Sequence, residues 1–146
     1  MKYEMTKPAL SATIGSNILI AFLIVLFLFI TLSFISSRYY KLSISDGFLL
    51  IKSMFYNTNI SLDKIDFDNV RVMNLDEENL TFTVRQNGIG LPGLKVGWFL
   101  KNSTKYKLYV TDRKSVVSIP TKEGYTILFS SEKASEIVTD LQNAKK

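Results

Sequence analysis

Residues 8–37 carry no charged side chain, and within them Ile18–Ile35 reads ILIAFLIVLFLFITLSFI, broken only by Thr31 and Ser33. No other stretch limits so tightly what the chain can fold into. As a helix rising about 1.5 Å per residue, this segment reaches ~27 Å, close to the roughly 30 Å of hydrocarbon in a bilayer. Extending it back through Ile14 adds a turn, with Asn17 as the one strongly polar interruption. A helix buried in a soluble core would carry polar positions along one face, and this segment is apolar all round. A cleavable signal peptide has an apolar core of about 7–15 residues followed by a small-x-small site, and Ser36-Ser37 matches such a site poorly. The segment therefore reads as a retained transmembrane helix over 14–37. It leaves an N-terminal flank, 1–13, and a domain, 38–146. Arg38, Tyr39, Tyr40 and Lys41 suit the water–lipid interface, where rings and long stems keep their polar ends wet. Lys2, Lys7 and the terminal amine precede the helix, and Arg38, Lys41 and Lys52 follow it. Counted by lysine and arginine alone, the bias leans slightly toward a cytoplasmic domain in a single-pass cell-membrane protein.

The chain has neither histidine nor cysteine. Histidine-based triads, histidine metal ligation and cysteine nucleophiles are therefore excluded, and nothing is learnt about redox compartment. Asp63, Asp66 and Asp68 lie in DKIDFD, which alternates with apolar Ile65 and Phe67 and lacks a glycine turn. That is not a calcium loop. No catalytic residue, metal site or cofactor is expected, and an enzyme would demand a polar pocket with perturbed acids that the sequence does not offer.

After the apolar helix the dominant period is two. KLSISDGFLLI alternates at Leu42 and Ile44 and turns at Asp46-Gly47, a strong hairpin signal because both positions accept positive φ. SMFYNTNISL, NVRVMNL with Val70 and Val72, and LTFTV with Leu80, Phe82 and Val84 read as further strands. The acidic turn Asp76-Glu77-Glu78 separates the last two. KVGWFL follows, then KYKLYVT, which alternates at Tyr106, Leu108 and Val110. SVVSIPT and GYTILF are joined by Lys122-Glu123-Gly124. At Ala134, Ile137, Val138 and Leu141 the spacing becomes that of one helical face. Ser130 or Ser131 can cap this helix, Glu132 suits its positive end, and Asn143–Lys146 should fray. Seven or eight mostly antiparallel strands and a final helix make a small barrel or sandwich with a plug.

Within NGIGLPGLKVGWF, residues Gly88-x-Gly90-x-x-Gly93 spell the dinucleotide fingerprint, and Asp112 stands downstream. The fingerprint needs a helix N-terminus after its glycines to hold the pyrophosphate. Here Pro92 and strand-like residues follow, so no nucleotide is expected. Gly88, Gly90, Pro92, Gly93 and Gly97 are read instead as structural, giving positive φ or close backbone approach in a long bent connection. Pro92-Gly93 suits a type II turn. Trp98 and Phe99 are expected to pack inside. NGIGLPGLKVGWF, LYVTDRKSVVSIPTKEGYTILFS and SEKASEIVTDL together resemble the bacterial PH-domain family, of pleckstrin-homology-like fold and often carried on membrane helices. The resemblance spans 38–143. It implies a mainly-β PH-like barrel or sandwich with a C-terminal capping helix; the family generally lacks an assigned activity, so the resemblance gives architecture rather than mechanism. The chain is expected to be a binding or scaffold module for a protein partner rather than an enzyme. PH domains that bind phosphoinositides place basic residues around the first hairpin loop. This chain has Ser45-Asp46-Gly47 there, so that lipid site does not carry over.

Charge is unevenly spread. Lys95, Lys101, Lys105, Lys107, Arg113 and Lys114 crowd between residues 95 and 114, against Asp112 alone. Asp63, Asp66, Asp68, Asp76, Glu77 and Glu78 crowd between 63 and 78. The basic set is the candidate contact for anionic lipid or an acidic partner, with Lys105 and Lys107 on one strand face. The net charge of +5 is modest for a nucleic-acid binder, and none is expected as a partner.

Overall fold

The computed structural model describes residues 10–36, 40–53 and 55–145. The flank before residue 10, Arg38 and Tyr39 of the expected interface, and Met54 of an expected strand lie outside the described residues. The chain divides into two compact units, Met1–Ile35 and Ser36–Lys146.

In the first unit, helix α1 runs Leu10–Ser36. Its stretch Ile14–Leu32 spans 19 residues with mean hydropathy 2.6 and no buried side chain. This is the length and composition that a membrane anchor or a signal sequence requires. Thr31 Oγ1 donates to the Phe27 carbonyl at 2.8 Å, so its hydroxyl is satisfied within the helix.

In the second unit, β1 (Lys41–Ser45), β2 (Phe48–Lys52) and β3 (Thr58–Ser61) form an antiparallel three-stranded sheet. The turn joining β1 to β2 is the expected one, with Asp46 at φ 53° and Gly47 at φ 79°. Two 3-10 turns, Leu62–Lys64 and Phe67–Asn69, lead into the second sheet. Its strands are β4 (Arg71–Met73), β5 (Val84–Leu91), β6 (Leu94–Lys101), β7 (Thr104–Val110), β8 (Val116–Pro120) and β9 (Tyr125–Ser130). They lie in the order β4-β8-β9-β7-β6-β5, and only β7–β9 is parallel. Helix α2 (Ala134–Ala144) closes the domain.

Both faces of the larger sheet are covered, which explains why β8 and β9 read as nearly continuous apolar runs. Strand register places Val96, Tyr109, Val117, Ile119, Ile127 and Phe129 on one face. They pack with Leu49, Ile51 and Ile60 of the smaller sheet and with Ala134 and Leu141 of α2. Phe99, Leu108, Val110, Val116, Leu128 and Met73 lie on the other face, beneath Leu75, Leu80 and Phe82. Thr58 and Tyr109 join the two sheets through a buried hydroxyl–hydroxyl bond of 2.7 Å.

Three expectations are corrected. LTFTV is not a strand: β5 begins at Val84, because Leu80 and Phe82 turn inward to cover the second core. The strand expected through SMFYNTNISL is only Thr58–Ser61, since Ser53 Oγ bonds both the amide and the carbonyl of Tyr56 and turns the chain there. Neither serine caps α2 through its side chain: Lys133 is the N-cap, Ser131 Oγ accepts the Lys133 N–H in the preceding turn, and Ser130 Oγ accepts the Thr111 N–H. In the tail, α2 extends through Ala144, the Lys145 ammonium meets Asp68 at 2.6 Å, and Gln142 Nε2 donates to the Phe67 carbonyl.

Candidate functional site

The glycine block is a β-hairpin rather than a bent connection. Leu91 pairs with Leu94 across Pro92-Gly93, and Gly93 has the φ of 75° that a type II turn needs at its third residue. Gly88 faces Gly97 in the ladder. A Cβ on Gly97 would stand 2.6 Å from the Gly88 Cα and collide with the Asn87 carbonyl, so the strands meet this closely only through glycine. Gly90 is different: a Cβ there would make ordinary contact, 3.7 Å from the Phe99 ring. Phe99 is buried as expected. Trp98 is not: it is half-exposed on the opposite face, edge-on to Tyr125 at 5.0 Å and under the Lys107 ammonium at 5.2 Å. It stands opposite Lys107 in the ladder.

The basic residues do not gather into one face. Lys95 and Lys101 lie on the face of Phe99, while Lys105 and Lys107 share the opposite one. Lys107 donates to the Asn57 carbonyl at 3.1 Å, and burial lowers its pKa. Lys101 donates to the Asn79 carbonyl at 3.0 Å. Arg113 pairs with Asp76 and reaches the carbonyls of Leu75 and Leu80, clamping the segment over the second core. The acidic and basic clusters are therefore partly brought together, and Arg71 likewise grips Glu78 through two bonds of 2.9 Å. The ammonium groups of Lys105 and Lys114 have no partner among the described residues, and both side chains are exposed.

Lys95, Arg113 and Lys114 do converge, around a cavity of about 420 Å³ between the Pro92-Gly93 turn and the β7–β8 connection. Its apolar walls include Leu75, Phe82, Leu91, Leu108 and Val110. The size suits a small ligand. The Lys95 ammonium donates to the Phe82 carbonyl at 3.3 Å. Burial, and next the charge of Arg113, hold its pKa below the ordinary lysine value. Leu75 and Phe82 were missed as site residues in the sequence. The available signal was that both flank an acidic turn yet are apolar. The aspartates at 63, 66 and 68 do not assemble: Asp68 pairs with Lys145, and Asp66 accepts from Asn69. Among the described residues no group of three acidic side chains is placed to hold a metal.

Two sheets in a sandwich, closed by a C-terminal helix after the last strand, define a PH-like domain. The family model described as a bacterial PH domain matches residues 40–145, and the chain belongs to that family. No curated protein and no solved structure matches the chain. Domains of this kind are in general binding or scaffold modules rather than catalysts.

Proposed function

We propose that the chain is a non-enzymatic, single-pass membrane protein whose PH-like domain, 38–146, docks a partner protein, with 14–37 as the membrane span and 1–13 as its flank. The observation that carries the docking is the outer edge of β5. This strand ends the larger sheet, runs for eight residues, and has no strand on its far side among the described residues. An open edge offers a row of unpaired backbone donors and acceptors, to which an extended segment of another protein can add as a further strand. Arg85 is its one charge, and Val84 is 54% exposed, so little repels such a segment. The apolar helix α1 supports the membrane address, and the excess of basic residues after it supports a cytoplasmic side.

A photo-crosslinking side chain at Gln86 of the full chain, in membranes of cells that make it, tests the reading. A discrete product is expected at Gln86, absent with the same probe at Lys122, and lost when Gly90→Pro spoils the edge. Equal products from both positions would refute docking at this edge.

A second reading is favoured by the unpartnered ammonium groups of Lys105 and Lys114: attraction to anionic head groups through the set Lys95, Lys101, Lys105, Lys107, Arg113 and Lys114. Such attraction is electrostatic, and would fade as salt shortens its reach to about 8 Å at physiological strength.

A further inference from the structure

Resting on the reading of the domain as a binding module, the geometry points to a second occupant. We infer that the cavity under the Pro92-Gly93 turn takes a single-chain amphipathic anion, its carboxylate or phosphate on Lys95 and its hydrocarbon stem along the apolar lining that Leu91 and Pro92 leave accessible above the buried Leu75, Phe82, Leu108 and Val110.

Two features require both halves of that ligand. The accessible lining of the cavity is more apolar than polar, and apolar surface left wet favours a hydrocarbon occupant. A wholly hydrophilic ion would leave it wet. At the polar end, Lys95 is half-buried, and among the described residues no carboxylate pairs with it. Neither acid of the lining pairs with Lys95. Asp76 pairs with Arg113, and Asp112 Oδ1 accepts the Lys114 N–H at 3.0 Å. Lys95 thus keeps a charge that one carbonyl does not match, beside the like charge of Arg113. A partly buried cation without a counter-ion is costly, and an anion placed on it removes that cost. A neutral hydrocarbon would not. Access is built into the ladder, because Gly90 is the residue paired with Lys95, so no side chain stands beside it on the edge strand.

The test uses the full chain in zwitterionic nanodiscs, followed by the backbone amide signals of Gly93, Asp112 and Lys114. Hexyl phosphate should move them saturably. Hexanol and inorganic phosphate should each bind at least about tenfold more weakly. Lys95→Met should weaken hexyl phosphate at least about tenfold, while Lys95→Arg retains binding and shows that the site still folds. Equal response to hexanol, equal response to inorganic phosphate, or full binding by Lys95→Met would overturn the inference. So would a short peptide with a free C-terminal carboxylate that displaces hexyl phosphate at lower concentration. If the single-chain lysophosphatidylglycerol in the nanodisc moves the same amides without added probe, the anion is held in the bilayer. If only the added probe does, it is a free amphiphile. A null titration with the Gln86 crosslink intact removes this inference and leaves the docking reading standing.

Discussion

Two residue pairs show how single side chains, or their absence, set the domain's behaviour. Gly88 and Gly97 touch backbone to backbone, and Gly97 sits at φ 111°. Gly97→Ala therefore meets both a collision and strain, and should destabilise the domain by about 2–4 kcal/mol. Gly90→Ala should stay within about 1 kcal/mol, since only ordinary contact awaits it. Thermal unfolding of the two variants should separate them clearly, and equal losses would deny the close approach. The glycine cluster was visible in the sequence, but which glycines matter was not, because that depends on strand register. Tyr109 and Thr58 form the second pair. Burial pushes the Tyr109 hydroxyl up to about 12, with the Thr58 bond acting the other way. The folded state thus holds this proton more tightly than the unfolded chain, whose tyrosine titrates near 10. The associated stability is complete below about pH 10 and is lost as pH rises toward about 12. Denaturant unfolding between pH 9 and 12 should show a decline that is shallower in Tyr109→Phe. Parallel declines would place the alkaline sensitivity elsewhere.

Among the elements, α2 was the most legible, since Ala134, Ile137, Val138 and Leu141 announce one buried face. The structure ranks them. Leu141 is fully buried and Ile137 half-buried, so Leu141→Ala should cost about 2–5 kcal/mol and Ile137→Ala less. Equal, negligible losses in chemical denaturation would mean that the helix does not plug the core. Hairpins with turn chemistry of their own were also legible, at Asp46-Gly47 and at Lys122–Gly124. LTFTV was misread because alternation in Leu80, Phe82 and Val84 looks the same whether a segment pairs with a neighbour or folds over a core. The wall of the cavity was hidden for the same reason. Leu75 and Phe82 become a site only when Arg113, some thirty residues on, clamps their segment down. The basic cluster is legible as a run of residues between 95 and 114, but the faces it occupies are not. The pairing of β6 with β7 distributes it over two.

At the scale of the whole molecule, an apolar helix of 27 residues precedes a folded PH-like domain. Among the described residues no other helix is long and apolar enough to cross a membrane, and most apolar side chains of the domain fill two cores. The proposed anchor brings both the docking edge and the cavity to a membrane, where an anionic amphiphile is concentrated. Retention of the helix is therefore the claim on which the rest hangs. The direct measurement is the intact mass of the chain recovered after alkaline carbonate washing of membranes. The account predicts that the chain stays in the membrane pellet with its N-terminal residues present. A chain released into the wash, either intact or shortened to begin near Arg38, would contradict it.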